Sequence, residues 1–211
     1  MEQKKLFEKG KIPQPKYVPV ESFSDLEKAA KKFGFPFILK ARFNAYDGRG
    51  NTLIKEKNDL EKAWKKLNSN QLYAEEFVDF DKELAIMVAR SFKGEIALYP
   101  VVETVQKNNI CHYVLAPAEI SPQIKKKAID LAVKTTKLLE GAGVFGIEMF
   151  LSKDGQVLVN EIAPRVHNSG HYTIEACLTS QFEQHIRAVT GLPLGKTDLI
   201  VPAAVMVNIL G

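Results

Sequence analysis

Cysteine, tryptophan and long apolar runs are all scarce in this 211-residue chain, and each shortage removes a class of protein. Cys111 and Cys177 are its two cysteines, and they stand far apart, which fits two buried, reduced thiols better than a disulfide framework or a zinc site. No stretch approaches the ~20 apolar residues that span a bilayer, so no membrane partner is expected. Charged Glu2, Lys4, Lys5, Glu8, Lys9 and Lys11 leave no apolar core for a secretory signal, and a cytoplasmic location is expected. Nor does one sign of charge dominate. The 29 basic and 25 acidic side chains are mixed along the chain and leave +4, without the basic tract of a nucleic-acid-binding arm. Lys125, Lys126 and Lys127 form the densest basic run and read as the solvated face of a helix, so no nucleic-acid partner is expected. The small positive excess suits anionic small molecules.

What is present is a chain that is 45% hydrophobic, enough for a full core, with clear periodicities. Residues 2–10 read as a short helix ending at Gly10, followed by Pro13, Pro15 and a strand from Tyr17 to Val20. Ser24 and Glu27 are spaced as a capping box; Leu26, Ala29, Ala30 and Phe33 keep helical spacing, and Gly34 supplies the stop. A second helix carries the stripe Leu60, Ala63, Trp64 and Leu67, flanked at its start by Asn58 and Glu61. Phe37 to Lys40 and Thr52 to Lys55 are β-prone runs joined by the glycine-containing loop Ala41 to Asn51. Leu72 to Phe77, Glu83 to Ser91, Glu95 to Val105 and Ile110 to Ala118 follow as strands, the last three separated by turns at Lys93-Gly94 and Asn108-Asn109, the pattern of an antiparallel sheet. A helix from Pro122 to about Leu139, a hairpin of Val144 to Ser152 with Gln156 to Pro164, and a helix from about Ser180 to Thr190 complete the pattern. The fold class is α+β, in two lobes with a cleft.

Chemistry concentrates at two places. If Asp154-Gly155 is a two-residue turn, Glu148 and Glu161 face each other across the hairpin. Opposed carboxylates repel, the more so if buried among Phe150, Val157 and Val159; a divalent cation would remove the repulsion, and an oxygen-only site suits Mg²⁺. Alternatively the hairpin is exposed and both glutamates face water, or the register is displaced by one residue. Lys40 ends an apolar run where its ammonium could meet a phosphate, or could simply be solvated. In Tyr46-Asp47-Gly48-Arg49-Gly50-Asn51 the glycines permit close approach of backbone to phosphate and Arg49 adds a fork of donors, although an Asp-Gly pair between strands is also an ordinary hairpin turn. Arg90, on an alternating strand, points either into the cleft or to solvent.

Together these segments resemble the ATP-grasp superfamily, specifically the N5-carboxyaminoimidazole ribonucleotide synthases, including the ATP-grasp portion of fungal phosphoribosylaminoimidazole carboxylases. Three strings carry the resemblance: Asn160-Glu161-Ile162-Ala163-Pro164-Arg165-Val166-His167-Asn168-Ser169-Gly170-His171, followed by Tyr172-Thr173 and Ser180-Gln181-Phe182-Glu183; Phe37-Ile38-Leu39-Lys40 with the Tyr46 to Gly50 loop; and Phe145-Gly146-Ile147-Glu148-Met149-Phe150. The resemblance implies an ATP-grasp fold with a small β/α lid lobe and a larger antiparallel-sheet lobe. It implies that Lys40 and Gly48, Arg49, Gly50 and Asn51 hold ATP phosphates, that Glu75, Glu76 and Val78 read adenine through the backbone, and that Glu83 holds the ribose. Glu148 and Glu161 would carry Mg²⁺, with Mn²⁺ as an alternative, and Asn160 would stand beside them. Arg165 would bind bicarbonate and, with Lys40, offset charge on the transferred phosphoryl group. Tyr46, Asp47, His167, Asn168, Ser169 and His171 would face aminoimidazole ribonucleotide, and the histidines serve either in proton transfer or as structural hydrogen-bond partners.

The family's activity is ATP-dependent carboxylation of that ribonucleotide in purine biosynthesis, through carboxyphosphate. By the same comparison residues 1–15 would be the tail of a preceding domain, 16–75 the lid, 76–195 the large subdomain and 196–211 the start of a truncated further domain. A homodimer and a fused or separate mutase domain are open. Asn44-Ala45 stands where bacterial relatives have two glycines, which implies a stiffer loop. The rival readings are another ATP-grasp ligase, such as a biotin carboxylase or a formate-using purine enzyme, against which the Asn168-Ser169-Gly170-His171 string argues, and a nucleotide-binding module without turnover.

Overall fold

The computed structural model describes residues 1–43, 50–67, 71–107 and 110–209. In chain order the elements are α1 (Glu2–Lys9), β1 (Tyr17–Val20), α2 (Phe23–Phe33), β2 (Phe37–Ala41), β3 (Asn51–Ile54), α3 (Asp59–Leu67), β4 (Leu72–Glu76), β5 (Phe80–Arg90), β6 (Ile96–Leu98), β7 (Val102–Lys107) and β8 (Ile110–Ala116). There follow α4 (Pro122–Lys137), β9 (Gly143–Ser152), β10 (Val157–Ala163), a 3₁₀ turn (Asn168–Gly170), α5 (Thr173–Ala176), α6 (Gln181–Thr190) and β11 (Ala204–Val207). Among the described residues no helix is long and apolar enough to cross a membrane.

The first sheet has the order β1-β4-β2-β3 and is antiparallel throughout. Alternation turns Phe37, Leu39, Leu72 and Ala74 inward, where they meet Leu26 and Ala29 of α2 and Leu60 and Ala63 of α3. Each Leu or Phe buried this way contributes about 1.5–3 kcal/mol. The cap of α2 lies two residues earlier than its spacing indicates: Ser22, not Ser24, accepts from Asp25 N–H at 3.2 Å and donates to the Asp25 carboxylate at 2.8 Å. Both serines precede an acid by three residues, so spacing alone does not separate them.

The second sheet runs β10-β9-β5-β7-β8-β11, with β6 also paired to β5. Strand β5 divides its neighbours cleanly. Leu84, Ile86 and Val88 face a core built with Ile147, Met149, Val157 and Val159 and covered by Phe7 of α1 and Ala128, Leu131 and Ala132 of α4. Ala85, Met87 and Ala89 face the opposite side, where they pack with Tyr172, Ala176 and Cys177. The run expected as one strand from Glu95 to Val105 is two, β6 and β7, because Pro100 has no N–H for the ladder. β11, which periodicity does not reveal, adds to the edge of β8 through Ala204–Ala116 to Val207–Tyr113. The expected Asn108-Asn109 turn lies outside the described residues. Cys111 and Cys177 are free thiols, half-buried and buried respectively.

Candidate active site at the junction of the two sheets

Glu148 lies opposite Glu161, as the hairpin spacing indicates, but the route differs. Three residues, Lys153 to Gly155, make the turn, with Ser152 paired to Gln156 and Gly155 at φ +77°, so near the turn Val157 faces Leu151 and the register is displaced by one. A bulge between Val159 and Glu161 restores it, placing Asn160 out of the ladder and the two glutamates side by side. Phe150 shares the open face with Glu148. Val157 and Val159 face the core instead: simple alternation would keep Glu161 on their side, and the bulge at Asn160 turns it to the face of Glu148. Burial, then Glu161 and Glu83 beside it, push the Glu148 carboxyl up to about 8, against the opposing pull of Lys40 and Asn160. Glu148, Glu161 and His167 each bring a ligand atom within 4.8 Å of the others.

His167 owes its place to three neighbours. Gly146 is directly beneath it: a β-carbon there would stand 2.6 Å from the His167 β-carbon. Gln181, 0% exposed at the start of α6, accepts from His167 N–H at 2.9 Å and donates to its carbonyl at 2.7 Å. Nδ1 accepts from Ser169, whose hydroxyl lies at 2.8 Å, and Nε2 lies 3.5 Å from Glu148. Burial first, then the neighbouring Arg165 guanidinium, lowers its pKa to about 4, so the ring is neutral at pH 7.

Lys40, at the end of β2, comes from the other sheet. Its ammonium is 2.5 Å from Glu75 and 3.3 Å from the Asn160 side-chain oxygen, which joins the expected phosphate cation to the hairpin bearing the two glutamates. Glu75 is buried on β4 and pairs as well with Lys4 of α1. Glu83 projects from β5 near the same point; burial raises its carboxyl to about 7, while a hydrogen bond from Gln106 and the charge of Lys40 oppose this. Glu76 and Val78 lie at the β4 to β5 crossing, where Glu76 N–H bonds Lys16 and the Val78 carbonyl accepts from Phe80. Asn51 pairs with Lys40 across β2 and β3, and the Gly50 carbonyl accepts from Ala41. Tyr46, Asp47, Gly48 and Arg49 lie outside the described residues.

Arg165 is exposed and donates to the Val166 carbonyl at 2.9 Å. His171 stacks on Phe182 at 5.9 Å. Asn168 exchanges hydrogen bonds with Asn208, just past β11, at 2.8 and 3.1 Å, and Asn208 also donates to the Cys111 carbonyl at 2.8 Å. Arg90 does not enter the site: it closes the far end of β5, donating to the Gly141 carbonyl at 2.7 Å. The lysine run is solvated, with Lys126 on Asp130 and Lys127 on the Gly155 carbonyl. Sequence reasoning missed Lys4, Gln106, Gln181 as a clamp, Gly146 as a gap and Asn208. No periodicity marks them; a lysine on the same helical face as the buried Phe7 was the one signal for Lys4.

Comparison with known proteins identifies the family and the fold. Residues 5–182 match the family described as ATP-grasp domain. Phosphoribosylaminoimidazole carboxylase of Ogataea methanolica is 54% identical over 194 residues, 90% of this chain and 36% of that protein. N5-carboxyaminoimidazole ribonucleotide synthase of Bacillus subtilis is 47% identical over 195 residues, 92% of this chain and 51% of that protein. The crystal structure of carboxyaminoimidazole ribonucleotide synthase from Aspergillus clavatus complexed with ATP is similar at a TM-score of 0.95 and 42% identity, over 99% of this chain and 56% of its own. A second structure from that organism, in complex with ADP and 5-aminoimidazole ribonucleotide, has a TM-score of 0.92 at 39% identity, over 99% and 56% of the two chains. The chain thus spans between 36% and 51% of the length of these two relatives.

Proposed function

The chain belongs to the ATP-grasp family, and from that premise we propose that it forms the nucleotide-binding part of an enzyme carboxylating 5-aminoimidazole ribonucleotide with bicarbonate and ATP. The observation that carries the reading is the meeting of Lys40 with Asn160, which sets an ammonium from one sheet beside the opposed Glu148 and Glu161 of the other. ATP would lie between the sheets. Lys40, Gly48, Arg49, Gly50 and Asn51 would hold its phosphates, and Glu83 its ribose. The crossing at Glu75, Glu76 and Val78 would meet adenine, with residues 16–75 acting as a lid over the large sheet.

The donor set fits Mg²⁺. The two opposed carboxylates, with Glu148 held up to about 8 by burial and by Glu161 despite the partial offset from Lys40, both offer oxygen alone. Glu148 and Glu161 would hold the ion, which when bound offsets the negative charge of the phosphoryl oxygens. In the proposed reaction a bicarbonate oxygen attacks the γ-phosphorus and ADP leaves, giving carboxyphosphate; the exocyclic amine of the ribonucleotide then takes the carboxyl carbon, and phosphate departs. Lys40 offsets charge at the transferred group. Arg165, free at the surface apart from its bond to Val166, orients the planar bicarbonate with its forked guanidinium. His167, neutral and fixed through Nδ1, presents Nε2 toward the site as a hydrogen-bond partner, and Asn168, Ser169 and His171 form the wall toward the ribonucleotide.

Calorimetric titration with ATP, with and without Mg²⁺, tests the nucleotide site. Magnesium-dependent binding that Glu148→Gln abolishes is expected. Equal affinity in the variant would remove the metal assignment. For the protein containing this segment, ATP hydrolysis that requires both bicarbonate and aminoimidazole ribonucleotide is expected; hydrolysis indifferent to the ribonucleotide would point to another ligase of the family.

A further inference from the structure

A buried lysine, a half-buried lysine and a buried glutamate come together where the sheets meet, and the buried lysine has no place in the reading above. Lys4, on α1, is 4% exposed and Glu75 is 1% exposed. Each oxygen of Glu75 has its own ammonium: Oε1 faces Lys4, and Oε2 lies 2.5 Å from Lys40. Both lysines also touch Asn160, Lys4 at its backbone carbonyl (3.4 Å) and Lys40 at its side-chain oxygen (3.3 Å). The two differ in what holds them. α1 is fixed to the large sheet by Phe7 in that core and by Gln3, which donates to the Ile162 carbonyl at 2.7 Å, whereas Lys40 ends a strand of the small sheet.

If Lys40 turns from Glu75 toward a phosphate, it takes its charge with it. If Lys40 were the sole partner of Glu75, its departure would strand an uncompensated charge in a buried place, the arrangement that proteins tolerate least. Lys4 removes that obstacle. We propose that Lys4 is a positioning residue, the permanent counter-ion of Glu75, which frees Lys40 to pass from Glu75 to the nucleotide phosphates. With Lys4 in place the group carries one net positive charge next to the two metal-binding carboxylates; without it the Glu75 and Lys40 charges cancel and the pair stays closed. The inference rests on Lys40 as a phosphate ligand, as proposed above.

The test titrates the 211-residue chain with Mg-AMP-PNP and, as a phosphate-free control, with adenosine. Lys4→Met is expected to weaken Mg-AMP-PNP by about ten-fold or more, about 1.4 kcal/mol, and to leave adenosine unchanged. Lys4→Arg keeps the counter-ion and should recover the affinity. Lys4→Met/Glu75→Gln, which removes both charges, should bind Mg-AMP-PNP more tightly than Lys4→Met. Equal losses on adenosine and Mg-AMP-PNP, or a Lys4→Met affinity within about two-fold of the parent, would overturn the proposal. Should Lys4→Met fail to fold, the double variant decides: affinity as poor as that of Lys40→Ala refutes the role, and better affinity supports it. Lys40→Ala also separates the two readings. If it binds Mg-AMP-PNP like the parent, the assignment of Lys40 falls and this inference with it; if it loses binding while Lys4→Met does not, the role of Lys4 alone falls.

Discussion

Gln181→Leu should damage both stability and the site, whereas Gln184→Leu, three residues on, should damage stability alone. The two glutamines are equally buried, at 0% exposure, and make the same reciprocal clamp on a backbone segment. Gln181 holds His167 N–H and C=O at 2.9 and 2.7 Å; Gln184 holds Gly195 N–H and C=O at 2.7 and 2.8 Å. Leucine approximates the shape of glutamine but offers no partner, so each variant orphans one backbone donor and one acceptor. At ~1–3 kcal/mol for each unsatisfied group the loss is roughly 2–6 kcal/mol, and water reaching part of either segment brings the expectation to about 2–4 kcal/mol. With a urea slope of ~1–3 kcal/mol/M, the midpoint followed by far-UV circular dichroism should fall by roughly 1–2 M in both variants. Only Gln181→Leu releases His167 from its position beside Glu148, so only it should also weaken magnesium-dependent nucleotide binding. A loss under about 1 kcal/mol for either variant would refute the burial argument. Equal nucleotide affinity in the two folded variants would refute the claim that Gln181 positions the site.

Three further outcomes are expected. Glu161→Gln should leave the metal-free protein at least as heat-stable as the parent, by relieving repulsion against Glu148, yet weaken Mg-ATP by more than about ten-fold; undiminished calorimetric affinity would contradict the metal assignment. Gly146→Ala places a β-carbon 2.6 Å from that of His167 and 2.9 Å from its γ-carbon, so strand or loop must shift. A cost of about 1–3 kcal/mol in denaturant unfolding and a displaced His167 in a crystal structure are expected, and an unmoved ring would show that the close approach is not limiting. Arg165→Ala should spare nucleotide binding and abolish bicarbonate-dependent turnover in the protein containing this segment; normal turnover would remove Arg165 from the oxyanion.

Much of the architecture was legible because local periodicity governs it. The stripe Leu26, Ala29 and the alternation Phe37, Leu39 state which face of each element is apolar, and that face has one place to go. Spacing around a hairpin likewise put Glu148 opposite Glu161, and the string from Asn160 to His171 carried the family resemblance that the comparison then showed. Other features depend on distance in the fold. The bulge at Asn160 that brings the glutamates level is a matter of how two strands meet, and Val157 and Val159 turned away from the glutamates for the same reason. Lys4 meets Glu75 across seventy-one positions, and Asn208 meets Asn168 across forty, because packed sheets and a late edge strand bring them together. Side-chain direction within an element follows from its own repeat, so sequence dictates it. Contact between elements follows from the mutual burial of apolar faces, which sets distances that no local pattern contains.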